Sequence, residues 1–91
     1  MTLEIQKMLI ATTAHVTQDE AAILYANGYS RGAYGWLLYV SPISDVPVIP
    51  EIPTLSLGLA AAIKIAQDNG CAFLLLDRDG DELDGVPTYD W

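Results

Sequence analysis

Tyr34-Gly35-Trp36-Leu37-Leu38-Tyr39-Val40 is the strongest strand signal in the chain. Successive residues of an extended chain point to opposite faces. Tyr34, Trp36, Leu38 and Val40 therefore share one side, and Leu37 and Tyr39 share the other. Both sides are apolar, which predicts a central or doubly covered strand.

Upstream, Tyr29 to Ala33 is a polar loop, and Asn27-Gly28 is a helix stop because glycine takes the left-handed conformation after the last turn. The helix it ends starts at Thr17. Thr17 and Glu20 have the spacing of a capping box, in which the hydroxyl and the carboxylate each satisfy a free backbone N–H. Asp19 and Glu20 also complement the positive end of the helix dipole. Before it, Glu4 to Ala14 is rich in β-branched residues and predicts a first strand.

Downstream, Ser41 to Pro53 carries Pro42, Pro47, Pro50 and Pro53 and reads as an irregular segment. Thr54 or Ser56 caps a second helix, which runs through Leu57, Leu59, Ala60 to Ile63, Ile65 and Ala66 and stops at Asn69-Gly70. Lys64 and Asp68 are spaced to pair along it. The middle of this helix is apolar nearly all round, so it is expected to be covered on more than one side. Phe73 to Leu76 predicts a short buried strand, and Asp77 to Gly85 a charged turn. Val86 to Trp91 is a candidate last edge strand, limited by Pro87. The expected fold is a single α+β domain over residues 1–91. It has two helices on a small mixed sheet of three to four strands, in the order β-α-β-α-β-β.

The 91 residues carry twelve acids and four bases, for a net charge of −8. Such a field repels nucleic acid and anionic membranes and favours a basic partner. A single cysteine, Cys71, excludes an internal disulfide. No apolar run approaches the ~20 residues that span a bilayer. The N-terminus places an acid before its first base and lacks a long apolar stretch, so no secretory signal is expected there. A cytoplasmic location in a bacterial cell follows as the expectation.

The acids are unevenly placed. Asp77, Asp79, Asp81, Glu82, Asp84 and Asp90 lie in the last fifteen residues, with Arg78 as the one base among them. The opening Asp77-x-Asp79-x-Asp81 resembles a calcium loop. However, Glu82 stands where its glycine belongs, and Thr88 stands where its bidentate glutamate belongs. Two other readings compete: a solvated turn, and a docking surface whose carboxylates engage lysines and arginines that otherwise hold a phosphate backbone. In a chain already at −8 the docking surface is preferred, with these six acids as its partner-binding residues.

Catalysis has little to stand on. His15 is the one histidine and lies near a strand end, a structural position; Cys71 enters an apolar strand, where burial is expected. Cys/His ligand spacing is absent, and Gly28, Gly32 and Gly35 have the wrong spacing for a phosphate loop. No catalytic residue, metal or cofactor is assigned.

The ending Leu76-Asp77-Arg78-Asp79-Gly80 and Asp84-Gly85-Val86-Pro87-Thr88-Tyr89-Asp90-Trp91 resembles a family of small uncharacterised bacterial proteins borne on plasmids, prophages and integrative elements. The Tyr34-Gly35-Trp36 strand fits the same family. The resemblance brings no activity or catalytic residue. It implies a mobile-element context, in which small acidic proteins resemble inhibitors of host defence, anti-CRISPR proteins among them. The expected function is a non-enzymatic inhibitor that engages a basic surface, such as a CRISPR effector subunit. The alternative is a homodimeric structural or regulatory module that self-associates through the second helix.

Overall fold

The computed structural model describes residues 7–30, 35–40, 49, 52 and 54–89. Three strands, β1 (Met8–Thr12), β2 (Gly35–Tyr39) and β3 (Phe73–Asp77), form one sheet with two helices, α1 (Gln18–Ala26) and α2 (Leu57–Asp68). A single 3-10 turn, Thr13–His15, links β1 to the start of α1. The architecture is the expected α+β, in the order β-α-β-α-β.

The strand order is β1-β3-β2, with β1 parallel and β2 antiparallel to β3. The central strand is therefore β3, and β2 lies at an edge, contrary to the expectation drawn from its two apolar faces. Leu38 is buried, but Tyr39 on the opposite face is largely exposed. Two apolar faces do not require two covering layers. Of the expected strand Glu4 to Ala14, Glu4 to Gln6 lie outside the described residues, and β1 ends at Thr12 because Thr13 to His15 coil into the 3-10 turn.

The register assigns the two faces of the sheet. Leu9 and Ala11 of β1, Leu74 and Leu76 of β3, and Trp36 and Leu38 of β2 point inward. They meet Val16, Ala21 and Leu24 around α1, and Leu59, Ala62, Ile63 and Ala66 of α2, in one core. Ile49 and Ile52 of the proline-rich segment join this core and pair with each other. The outward face carries Met8, Ile10, Leu37, Tyr39, Phe73 and Leu75. Tyr39 and Phe73 meet there edge to face at 5.3 Å.

Local signals set the helix ends. Thr17 and Glu20 form the capping box of α1. Ser56, not Thr54, caps α2, its hydroxyl accepting from Leu59 N–H at 3.2 Å. Both helices stop at Asn-Gly, where Asn27 and Asn69 amides donate to Ile23 and Ile65 carbonyls and Gly28 and Gly70 take positive φ. Lys64 and Asp68 pair at 3.2 Å on the surface. Of the twelve residues of α2 only Leu57, Lys64 and Asp68 are exposed, so its apolar circumference is largely consumed by the fold.

Val86 to Tyr89 does not form the expected fourth strand. Its backbone is bonded to the 3-10 turn and its own preceding turn instead. Asp90, Trp91 and Tyr34 lie outside the described residues.

Candidate functional site

The acid segment begins where β3 ends. Asp77 Oδ1 accepts from Asp79 N–H at 2.9 Å, and Asp77 carbonyl accepts from Gly80 N–H at 2.8 Å, closing a tight turn. Gly80 presses against β1: a Cβ there would lie 2.5 Å from Ala11 carbonyl oxygen. Only glycine lets the turn approach this closely. The next carbonyl, Asp81, accepts from Thr12 N–H at 3.0 Å and so ties the turn to the end of β1.

His15 holds the segment from below. It is fully buried at the end of the 3-10 turn. Leu83 N–H donates to its Nε2 at 3.0 Å, so the ring proton sits on Nδ1, which donates to Pro87 carbonyl at 2.8 Å. One imidazole thus bridges two points four residues apart in the segment. Both ring nitrogens are spent on backbone groups, leaving none to act as a general base. Cys71 is buried in the core, as expected.

Two further bonds complete the clasp. Tyr89 N–H donates to Ala14 carbonyl at 2.8 Å, and Tyr89 hydroxyl accepts from Gly58 N–H at 3.1 Å in the first turn of α2. That N–H is one of the donors a helix start leaves unsatisfied. Gly58 has no room for a side chain, because a Cβ would lie 2.5 Å from His15 carbonyl oxygen and 2.8 Å from Pro87 carbonyl oxygen.

The backbone from Asp77 to Tyr89 is therefore fixed to β1, the 3-10 turn and α2, while Asp79, Asp81, Glu82 and Asp84 are exposed. Among the described residues no hydrogen bond or ion pair engages these four carboxylates. Asp77 is different: it is half-buried, and one of its oxygens is used inside the turn. Of the six acids expected to bind a partner, the structure leaves four exposed along this pinned segment, an acidic ledge, and commits Asp77 in part to the turn. Beside the ledge, Thr12, Thr13, Ala14, Arg78 and Tyr89 line a groove of about 340 Å³.

A second polar junction was not visible in the sequence. Glu20 is buried, and its Oε1 accepts from Thr17 N–H at 3.0 Å, Thr17 hydroxyl at 3.2 Å and Ser56 hydroxyl at 2.7 Å. Its Oε2 accepts from Ser56 N–H at 2.8 Å. One carboxylate thus joins the starts of both helices, where both dipoles favour a negative charge. The capping box gave away half of this; nothing in the sequence links Glu20 to Ser56, 36 positions away. An open groove of about 410 Å³ runs alongside, lined in part by Ile23, Ile52 and Leu55, but its carboxylate is already saturated with donors.

Among the described residues no group of three His, Cys, Asp or Glu is placed to hold a metal ion. No described helix is long and apolar enough to cross a membrane. Fold and site together define a small mixed-sheet α+β domain that displays an ordered acidic ledge. The chain belongs to the family of unknown function DUF5983, matching its C-terminal domain over residues 8–91, from the first residue of β1 onward. No curated protein and no solved structure matches it.

Proposed function

We propose that this domain is a non-enzymatic binding module whose acidic ledge docks on a basic protein surface. The observation that supports this is the pinned backbone beneath Asp79, Asp81, Glu82 and Asp84. A solvated turn has no need of a buried histidine, a tyrosine clasp and two close glycine contacts. A docking surface gains from them, because ordering entropy is then lost on folding rather than on binding. With a net charge of −8, the favoured partner is a nucleic-acid-binding protein, and the domain competes with nucleic acid for it. In its narrowest form the reading is inhibition of a host defence complex, such as a CRISPR effector, in the bacterial cytoplasm. The resemblance to mobile-element proteins supports that form.

The test compares the wild-type domain with D79N/D81N/E82Q/D84N as bait in bacterial lysate. The expected result is capture of nucleic-acid-binding proteins that added DNA or RNA releases, that weakens steeply with salt, and that the variant loses. Equal capture of the same proteins by the variant would overturn the reading.

A further inference from the structure

The two edges of the sheet are treated differently. The outer edge of β2 is closed: Leu37 N–H donates to Tyr29 carbonyl at 3.0 Å, and Ser30 bridges to Trp36. On β1, Lys7 carbonyl accepts from Ala72 and Phe73. With the two-residue period of a strand, Leu9 and Ala11 also turn their backbone groups toward β3, while Met8, Ile10 and Thr12 turn theirs away. Thr12 N–H is taken by Asp81. No bond among the described residues reaches the outward backbone groups of Met8 and Ile10.

This open stretch lacks the usual protection. Monomeric proteins guard edges with charges, prolines or bulges. Met8-Leu9-Ile10-Ala11-Thr12 has none of these, and Met8 and Ile10 are 46% and 50% exposed. On the sheet's outward face they sit beside Phe73 and Leu75.

We propose that the open edge of β1 pairs with the β1 edge of a second copy of this chain, antiparallel, with Met8 opposite Ile10 of its partner. Backbone parity selects this register. Met8 and Ile10 both present outward N–H and C=O groups, and pairing each with the other closes four hydrogen bonds about a two-fold axis at Leu9. The Thr12–Asp81 bond is left intact. Charge selects the direction. Lys7, whose ammonium also donates to Asn69 carbonyl at 2.6 Å, is exposed just before the open stretch, and the acid turn lies just after it, anchored at Thr12 by Asp81. Antiparallel pairing brings each copy's Lys7 beside the other's acid turn, whereas parallel pairing would stack lysine on lysine and acid on acid. The seam buries Met8 against the partner's Ile10 and joins two three-stranded sheets into one of six. The seam consists of four backbone hydrogen bonds and the Met8–Ile10 contacts, so the dimer forms in a concentration-dependent way. On this proposal the sheet edge, rather than α2, is the self-association surface.

The test is sedimentation or light scattering over a concentration series of the whole chain, with fold checked by circular dichroism. The expected wild-type mass rises from 9.9 kDa to twice that value. Ile10→Lys stays monomeric with an unchanged spectrum, because its side chain faces solvent in the monomer. Lys7→Glu weakens pairing by roughly tenfold, the scale of ~1.4 kcal/mol, and adding Asp81→Lys to it restores pairing. A wild-type chain that remains a monomer up to about 1 mM, where association would be worth only ~4 kcal/mol, would overturn the proposal. So would Ile10→Lys dimerising like the wild type, or failure of the double charge swap to restore pairing. Dimerisation and ledge docking are read apart through Ile10→Lys, which removes the seam and leaves all four ledge carboxylates unchanged; the fourfold ledge variant keeps Met8 and Ile10 and removes only the charge that faces Lys7.

Discussion

Glu20 and the acids of the ledge are the same kind of side chain used in opposite ways. Glu20 is buried and accepts four hydrogen bonds at the meeting point of two helix starts. Asp79, Asp81, Glu82 and Asp84 are exposed, and what is fixed is the backbone beneath them. The fold bonds the first carboxylate, and no described group bonds the other four. Charge that no described group uses, and that repels itself in a chain at −8, is what the proposed docking surface would draw on.

The largest effect in this comparison is expected at Glu20. Glu20→Ala strips four donors of their acceptor, including Ser56 N–H and Thr17 N–H, inside a buried junction. Orphaned buried groups of this kind make the loss ~3 kcal/mol or more, read as a drop in the denaturation midpoint. Glu20→Gln sharpens the point. The amide keeps one acceptor oxygen but turns an NH2 group toward backbone N–H donors, so its loss falls below that of alanine but does not vanish. A Glu20→Ala variant as stable as wild type would erase the distinction between the two sets of acids.

His15 comes next. His15→Ala removes the links to Leu83 and Pro87 and leaves a cavity under the segment, for a loss of ~2–3 kcal/mol. The effect is also local. Amide hydrogen exchange should accelerate at Leu83 and Tyr89 well beyond its rise in β3, because these amides are held by His15 and Ala14 at the clasp. Uniform acceleration along the chain would mean that the ledge is not a separately held unit.

These junctions also show where the sequence was readable. Thr17 with Glu20, and the Asn-Gly stops, act within three or four residues, so their geometry is written locally. Strand identity was readable too, but strand position was not. Tyr34 to Val40 is the strongest strand signal, yet β3 is central, because order in a sheet depends on crossovers rather than on any one strand's signal. Val86 to Tyr89 was misread for the same reason. Its backbone partners, His15 and Ala14, lie more than seventy positions upstream. His15 was readable as structural, but what it holds was not. The acid cluster was visible as a charge run; that its backbone is pinned rests on contacts made by Gly80, Tyr89 and His15, which carry no charge signature.

Gly80→Ala probes the pinning without touching a charge. The added methyl would meet Ala11 carbonyl, so the turn must lift from β1, at a loss of ~1–2 kcal/mol. If ordering of the ledge matters for docking, partner affinity falls by more than the mild destabilisation alone explains, while all four carboxylates remain. Affinity unchanged in a measurably loosened ledge would show that charge, not its placement, is what the partner reads.

The smallest effect on stability is expected from the change with the largest effect on binding. D79N/D81N/E82Q/D84N removes four of the eight excess negative charges from groups that bond to nothing among the described residues. Exposed substitutions of this kind shift stability by no more than ~0.5 kcal/mol. The sign should be favourable, because the remaining acids, Asp77 first among them, lose repelling neighbours. Added salt screens the same repulsion, so wild type and variant should converge in midpoint as ionic strength rises. A variant that instead loses several kcal/mol would show that the ledge carboxylates hold the fold in the manner of Glu20. The two sets of acids would then have one role rather than two.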